Sequence, residues 1–261
     1  MRQAMVWVWL ILAAPMAAIA SEAGLKLDRL PADVNPNDPV SLQRGAQVYV
    51  NYCLGCHSAS YMRYNRLEKD LGLSEQQIRD NLIFTGAKVG ELMKNSMDTR
   101  DAREWFGAAP PDLTVIARSR ASHAGSGGDW LYTYLRSFYR DPSRPTGWNN
   151  TVFPNVGMPH VLYALQGEQA LRTETQLIYR PGGKKEDAIK VEVTKLVVDK
   201  SGSMSPAEYD RLVADLVNFM VYMAEPAQQF RKQLGLYVLM FLAVLFVLAY
   251  ALKKEFWKDV H

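Results

Sequence analysis

The chain has 261 residues, nearly half of them hydrophobic, which is enough for a folded core, and its formal charge is +3. Between Ser21 and Phe230, however, 24 lysine and arginine residues stand against 25 aspartate and glutamate residues, a net charge of −1. The basic excess therefore lies at the two ends, and the composition argues against a nucleic-acid partner.

The first 20 residues have the pattern of a secretory signal peptide. Arg2 supplies the positive start, the stretch from Met5 to Ala17 is apolar, and Ala18-Ile19-Ala20 has the small-x-small form of a cleavage site. We expect residues 1–20 to be a signal peptide that is cleaved after Ala20, so that the rest of the chain is exported. An uncleaved anchor helix is the alternative.

The next predicted element is a helix that ends in a cysteine motif. Asp38-Pro39 combines an N-cap side chain with a proline at the first helical position, which predicts a helix from about Pro39 to Cys53. Gly45 lies inside this helix, where glycine is unfavourable, so we expect another helix to cross it closely.

The stretch Cys53-Leu54-Gly55-Cys56-His57 has the C-x-x-C-H spacing that attaches a c-type haem. Cys53 and Cys56 lie on one face of a helical turn and can each bond a porphyrin vinyl group, and His57 then ligates the iron. A zinc site would need further nearby ligands, and a thioredoxin-like dithiol would need a preceding strand and a redox fold. The motif therefore predicts one covalent haem c. The remaining histidines are scattered at His123, His160 and His261.

We expect the region from Ser58 to Asn150 to wrap the haem. A capping box at Ser74 predicts a helix that ends near Gly86. Gly107–Pro111 is a stiff apolar loop that is suited to lie against the porphyrin, so Pro111 is a candidate cofactor-binding residue. The pattern predicts two more helices, from Asp112 to about Ala121 and from Asp129 to Tyr139.

A β-hairpin is predicted next. Thr175–Arg180 and Ala188–Val198 are strand-like, with apolar and polar residues alternating in the second, and the polar stretch Pro181–Asp187 joins them. This hairpin would project from a helical body.

The last soluble helix is predicted to follow a second capping box, Ser205-Pro206-Ala207-Glu208, and to end at Pro226. We expect its apolar face to contain Met220 and Met223 as ordinary packing residues and to cross the helix of Gly45.

Leu234–Leu252 is a run of 19 uncharged residues, about 28 Å long as a helix and close to the thickness of a bilayer core. A fully buried core helix is the alternative. We expect a transmembrane helix with its flanks at residues 231–254, a periplasmic haem domain at 21–230 and a cytoplasmic tail at 255–261. This orientation follows from the signal peptide.

The second axial ligand of the iron has several candidates. Methionine ligation raises the potential of the iron and suits electron transfer. From spacing alone, Met158, between Gly157 and Pro159, and Met204, in the loop from Asp199, are equal candidates. Bis-histidine ligation through His123 or His160 is a further option.

Taken together, these elements resemble the cytochrome c1 family, whose members are the haem subunit of the cytochrome bc1 complex. The resemblance implies that Met204 is the axial methionine and that Arg120 pairs with a haem propionate. The hairpin and the absence of an extra cysteine pair suggest a bacterial form. The matching stretches are the Arg44-Gly45 helix into the haem motif, Gly107–Leu113 with Arg118 and Arg120, Phe153–Pro159, Gly202–Ser205, Ala224-Glu225-Pro226 and the C-terminal anchor.

The resemblance implies a mainly α, cytochrome c-like haem domain with large insertions, a small β-hairpin and one C-terminal transmembrane helix. It implies an electron-transfer subunit of quinol:cytochrome c oxidoreductase, not an enzyme by itself, that relays one electron from a Rieske iron–sulfur protein to a c-type cytochrome. Cytochrome b would hold the membrane helix, in a dimeric complex of the bacterial inner membrane. The rival functions are a membrane-tethered monohaem cytochrome c that donates to an oxidase or reductase, and a haem sensor or catalyst with an open axial site.

Overall fold

The computed structural model describes residues 26–31, 34–178 and 189–259. The predicted signal peptide and the hairpin loop Pro181–Asp187 lie outside the described residues. The helices, in chain order, are α1 (Pro39–Val48), a π-helical turn (Tyr49–Cys53), α2 (Tyr64–Leu71), α3 (Glu75–Leu82), α4 (Thr99–Phe106), α5 (Ile116–Ser119), α6 (Gly127–Arg136), α7 (Tyr163–Gln166), α8 (Pro206–Ala224) and α9 (Gln228–Phe256).

The strands form three antiparallel two-stranded sheets, each from neighbours along the chain. Helices account for most of the regular structure, as the mainly α expectation requires. The pairs are β1 (Ala59–Arg63) with β2 (Leu92–Met93), β3 (Phe138–Arg140) with β4 (Trp148–Asn150), and β5 (Gly167–Ile178) with β6 (Ile189–Ser201).

The described chain divides into two compact units. The first contains the described part of Met1–Pro31 together with Ala117–Val213, and the second contains the described part of Ala32–Ile116 together with Ala214–His261. The candidate haem motif belongs to the second unit, and both loop methionines belong to the first.

In the second unit, α1 packs against the later part of α8, as the sequence predicts. A Cβ added at Gly45 would lie 2.7 Å from the Cβ of Phe219 and closer still to the backbone oxygen of Asp215. Around this crossing, the buried Asp215 carboxylate accepts hydrogen bonds from the Ser41 hydroxyl at 2.6 Å and from the Arg44 guanidinium. Glycine is therefore required here because any side chain would separate the two helices. Met220 and Met223 are buried in α8, which confirms their packing role.

In the first unit, α6 lies in an aromatic core. The Ser126 hydroxyl accepts from the N–H of Asp129, and the Asp129 carboxylate accepts from the N–H of Ser126, which closes a capping box. Asp129 also accepts from the N–H of Leu30, so the extended N-terminal segment is tied to the same helix end. The Tyr209 hydroxyl donates to the carbonyl of Leu135 at 2.8 Å and anchors the far end of the helix.

Two predicted helices are wrong at their beginnings. Asp112 does not begin a helix: its carboxylate accepts from the N–H groups of Ser60 and Thr114, and only Ile116–Ser119 is helical. Asp129 is the third residue of α6 and not its start. An aspartate side chain can mark the start of a helix or accept hydrogen bonds from backbone N–H groups elsewhere. The sequence pattern does not distinguish these two roles.

The first predicted helix does end at Cys53, but its last turn, Tyr49–Cys53, is π-helical and not α-helical. Two other predicted boundaries are wrong. The helix predicted to end near Gly86 ends at Leu82. The Asp129 helix ends at Arg136, and β3 follows it.

The predicted hairpin is present but longer than expected. β5 begins at Gly167 and β6 continues to Ser201, so the residues from Asp199 to Ser201 are strand and not the pliable loop that the sequence suggested. The two predicted capping boxes, at Ser74 and Ser205, are confirmed.

The last helix, α9, contains the predicted apolar run. An 18-residue window within its stretch Phe230–Phe256 has a mean hydropathy of 2.5, and the stretch is long and apolar enough to cross a membrane. At 1.5 Å per residue, its 27 residues extend about 40 Å, which is enough for a tilted span.

Candidate haem site

The cysteine motif follows directly from the π-helical turn at the end of α1. The N–H of Leu54 donates to the carbonyl of Tyr49 at 2.9 Å, an i to i+5 bond that widens the last turn. The N–H groups of Cys56 and His57 both donate to the carbonyl of Cys53, so the motif closes into a tight turn. This turn brings the two cysteines and the histidine together, as the sequence predicts.

The imidazole of His57 is oriented by a backbone carbonyl. Its Nδ1 lies 2.7 Å from the carbonyl oxygen of Pro111, and because a carbonyl only accepts, Nδ1 carries the proton. Burial lowers the pKa of His57, against the opposing effects of the Pro111 hydrogen bond and the charge of Asp112. The ring is therefore neutral, and its Nε2 has a free lone pair for a metal.

Several further hydrogen bonds fix the motif and the loop that holds His57. The buried Tyr49 hydroxyl donates to the carbonyl of His57 at 2.8 Å. The Asn95 amide donates to the carbonyl of Leu54 at 3.0 Å, and the N–H of Leu113 donates to the carbonyl of Ser58 at 2.9 Å. Sequence reasoning missed Tyr49 and Asn95 as supports, since neither belongs to a recognisable motif.

The two thiols fit thioether formation better than redox chemistry. Both Cys53 and Cys56 are free, and Cys53 is buried. Burial, with a smaller contribution from Cys56, raises the pKa of Cys53 to about 12, so it is not an activated thiolate. The motif follows a helix and not a strand, unlike a thioredoxin-type site. No group of three or more His, Cys, Asp or Glu residues positioned for a metal ion occurs within 26–31, 34–178 and 189–259.

The two loop methionines of the first unit, Met158 and Met204, differ in their hydrogen bonds. The sulfur of Met158 accepts a hydrogen bond from the Tyr134 hydroxyl at 3.4 Å. Met204 is partly exposed, and its N–H donates to the carbonyl of Leu165 at 3.1 Å, which ties its loop to the end of α7. The Met204 sulfur accepts no hydrogen bond from the described residues.

The packing of the Met204 loop against the end of α7 also depends on Gly202. A Cβ at this position would lie 2.6 Å from the carbonyl carbon of Leu165 and 2.5 Å from the backbone nitrogen of Gly167. The loop that carries Met204 can therefore pack this tightly only with glycine at position 202.

Arg120 lies against aromatic rings in the first unit. Its guanidinium carbon is 4.5 Å from the ring centre of Trp130 and 5.5 Å from that of Phe153. Its Nε is buried and has no hydrogen-bond partner within the described residues. A buried N–H donor without a partner is unfavourable, so this group is suited to bind an anion.

The two histidines offered as alternative ligands differ in exposure. His123 is exposed. His160 is 3% exposed and stacks on Phe138, with ring centres 4.9 Å apart, and against Trp148 at 5.1 Å. The ring of His160 is thus part of an aromatic core. The ligand roles of Met204, Arg120 and the motif residues stay predictions.

The residues of the second unit fit a covalently attached haem. Its two free thiols and its neutral imidazole, with the tautomer fixed by Pro111, match the thioether and imidazole contacts of a c-type haem. In the first unit, the Met204 sulfur is chemically suited to ligate iron, and the Arg120 guanidinium is suited to pair with a carboxylate.

Comparisons with known proteins cover nearly the whole chain. A family model described as the Cytochrome C1 family matches residues 34–105 and 91–260. Cytochrome c1 of Allochromatium vinosum is 51% identical over 251 residues, 96% of each chain. The ammonia monooxygenase gamma subunit of Nitrosomonas europaea is 49% identical, again over 96% of each chain. Cytochrome b/c1 of Bradyrhizobium diazoefficiens is 27% identical over 86% of this chain and 34% of its own length.

Proposed function

This chain belongs to the cytochrome c1 family, and from that premise we propose how its residues hold the haem and serve electron transfer. Members of the family are the haem subunit of the cytochrome bc1 complex, a quinol:cytochrome c oxidoreductase. The chain is therefore a redox subunit with one covalently bound haem c, anchored in the membrane as part of that complex.

We propose that Cys53 and Cys56 hold the porphyrin through thioether bonds and that His57 ligates the iron through Nε2. The observation that carries this assignment is the 2.7 Å contact between His57 Nδ1 and the carbonyl oxygen of Pro111. A histidine that ligates a metal ordinarily donates its other ring N–H to a carbonyl or carboxylate, which fixes its orientation. Pro111 therefore acts through its backbone oxygen, in addition to the apolar contact that the loop suggests.

We propose Met204 as the second axial ligand. The family resemblance supports this choice. The sulfur of Met158, in contrast, already accepts a hydrogen bond from the Tyr134 hydroxyl. When bound, the haem supplies a one-electron Fe(III)/Fe(II) couple whose potential methionine ligation raises. Arg120 would pair with a propionate through a charge-assisted hydrogen bond.

The proposed role is a one-electron relay, in which the subunit accepts an electron from a Rieske iron–sulfur protein and donates it to a c-type cytochrome. It has no substrate-converting activity of its own. We propose that cytochrome b holds α9 in a dimeric complex, and the name of the Bradyrhizobium diazoefficiens relative, which joins the two cytochromes, supports this pairing.

The proposed arrangement in the membrane follows from the two ends of the chain. Residues 1–20 are the signal peptide, 21–230 the haem domain in the periplasm, 231–254 the span through the bacterial inner membrane, and 255–261 the cytoplasmic tail. The apolar window within Phe230–Phe256 supports the span. The basic residues on either side of the uncharged run Leu234–Leu252 suit the two interfaces.

Purification of the protein in mild detergent tests this function. Co-isolation with b-type haem and an iron–sulfur protein is the expected result. Isolation as a single haem protein would support a tethered cytochrome c instead. Co-isolation with ammonia monooxygenase activity would support the role that the name of the Nitrosomonas europaea relative gives that protein. Rapid, tight binding of carbon monoxide to the reduced protein would indicate an open axial site and contradict methionine ligation.

A further inference from the structure

The Arg120 side chain is held by stacking on aromatic rings, and it forms no ion pair with the residues of 26–31, 34–178 and 189–259. Its guanidinium lies over the rings of Trp130 and Phe153. The planes of these two rings are 74° apart and their centres are separated by 6.4 Å. Trp130 is 7% exposed, whereas Phe153 is 43% exposed. The fixed contact for Arg120 is therefore the buried indole ring.

The indole is itself packed against a second aromatic ring. Trp130 stacks on Tyr134, with ring centres 4.8 Å apart and planes 14° from parallel. The Tyr134 hydroxyl donates to the sulfur of Met158, and the Tyr134 ring packs edge-on against Phe138. This layered packing allows Trp130 little movement, so it is a rigid base for the arginine.

We propose that Trp130 is a positioning residue that holds the Arg120 guanidinium in the orientation that pairs with a haem propionate. This inference rests on the proposed role of Arg120 and extends it. An aromatic face attracts a cation without using its N–H donors, so the donors stay free for an anion. Without the ring, a flexible arginine would turn toward water, and its charge would act on the haem more weakly.

The consequence is a measurable effect on the reduction potential. A nearby positive charge disfavours the ferric form of the iron, which has one more positive charge than the ferrous form. The positioned arginine therefore raises the potential, and loss of Trp130 lowers it by an amount that depends on Arg120. A purely structural role of Trp130 would not produce that dependence.

The test is a double-mutant cycle on the midpoint potential of the purified full-length protein in detergent. We expect Arg120→Gln to lower the reduced-to-oxidised ratio at fixed ambient potential about tenfold, about 59 mV for a one-electron couple. Trp130→Leu should lower the midpoint potential by roughly half of that shift. Trp130→Phe keeps a weaker aromatic face, so it should lower the potential by less than Trp130→Leu does. In the Arg120→Gln background both Trp130 substitutions should have no further effect.

A matched control is Trp148→Leu, because Trp148 is also buried and lies under an arginine, Arg140, at 3.9 Å. The midpoint potential of the Trp148→Leu protein should equal that of the wild type. If Trp130→Leu does not fold, the Trp130→Phe cycle still decides, since its shift must disappear with Arg120→Gln.

The possible failures are distinguishable. An unchanged potential in Trp130→Leu or Trp130→Phe, or a shift that persists in full without Arg120, overturns the inference about Trp130. An unchanged potential in Arg120→Gln refutes the proposed propionate pairing itself, and this inference with it.

Discussion

The close approach of α1 and α8 at Gly45 predicts a large cost for a single added methyl group. In Gly45→Ala, the new Cβ would lie 2.7 Å from Phe219 Cβ, whereas ordinary contact begins near 3.4 Å. The helices must therefore separate by at least about 0.7 Å. That movement would also stretch the 2.6 Å hydrogen bond from Ser41 to Asp215 beyond its best length.

The magnitude follows from three opposing terms. Overpacking costs about 1–3 kcal/mol, and weakened charge-assisted bonds to Asp215 cost about 1.5–3 kcal/mol. Alanine recovers about 1 kcal/mol of helix propensity relative to glycine. The net loss in the free energy of unfolding is about 1.5–5 kcal/mol, which for a domain of this size lowers the melting temperature by roughly 3–20 °C.

The assay is thermal denaturation of the purified haem protein in detergent, followed by circular dichroism. Gly235→Ala in α9 is the matched control, because a Cβ there meets nothing within 4 Å, and it should leave the transition unchanged. If the Gly45→Ala protein has the same melting temperature as the wild type, the two helices do not approach this closely.

Three other changes have definite expected outcomes. Tyr49→Phe removes the hydrogen bond to the His57 carbonyl and should lower the free energy of unfolding by about 1 kcal/mol in denaturant titrations, while the haem stays attached. Burial lowers the pKa of His160 from 6.5 to about 4, so the unfolded chain binds the proton first; stability should fall by up to about 3 kcal/mol from pH 6.5 to 4, and His160→Gln should flatten this slope in melting curves. Gly202→Ala crowds the loop of Met204 and should weaken the absorption band of the methionine–iron bond.

Each of these expectations has a result that contradicts it. Equal stability of Tyr49→Phe and wild type would remove that hydroxyl as a support of the motif. A pH slope that is unchanged in His160→Gln would assign the slope to other groups. An unaltered band in Gly202→Ala would mean that the loop tolerates a side chain at this position.

The features that the sequence predicts well are those with local or periodic causes. The cysteine motif, the two capping boxes and the hairpin depend on residues a few positions apart. The close crossing at Gly45 was also predictable, because a glycine inside a helix has a cost that a close contact explains. Even so, the wider π-helical turn at the end of α1 has no signature in the residues from Tyr49 to Cys53.

The features that escaped prediction depend on contacts between residues distant along the chain. The Pro111 carbonyl meets His57 across 54 residues, and the Tyr134 hydroxyl meets Met158 across 24. Neither contact is visible as a motif, so spacing alone left Met158 and Met204 equal. Asp112 illustrates the same difficulty locally, since its carboxylate caps a turn where a helix start was expected.

The identity of the second axial ligand is the most direct test of this account. The measurement is the ferric absorption spectrum of purified Met204→Leu and Met158→Leu, compared with the wild type. The account predicts that Met204→Leu loses the absorption band of the methionine–iron bond and that Met158→Leu retains it. Loss of the band in Met158→Leu alone, or its persistence in Met204→Leu, would contradict the account.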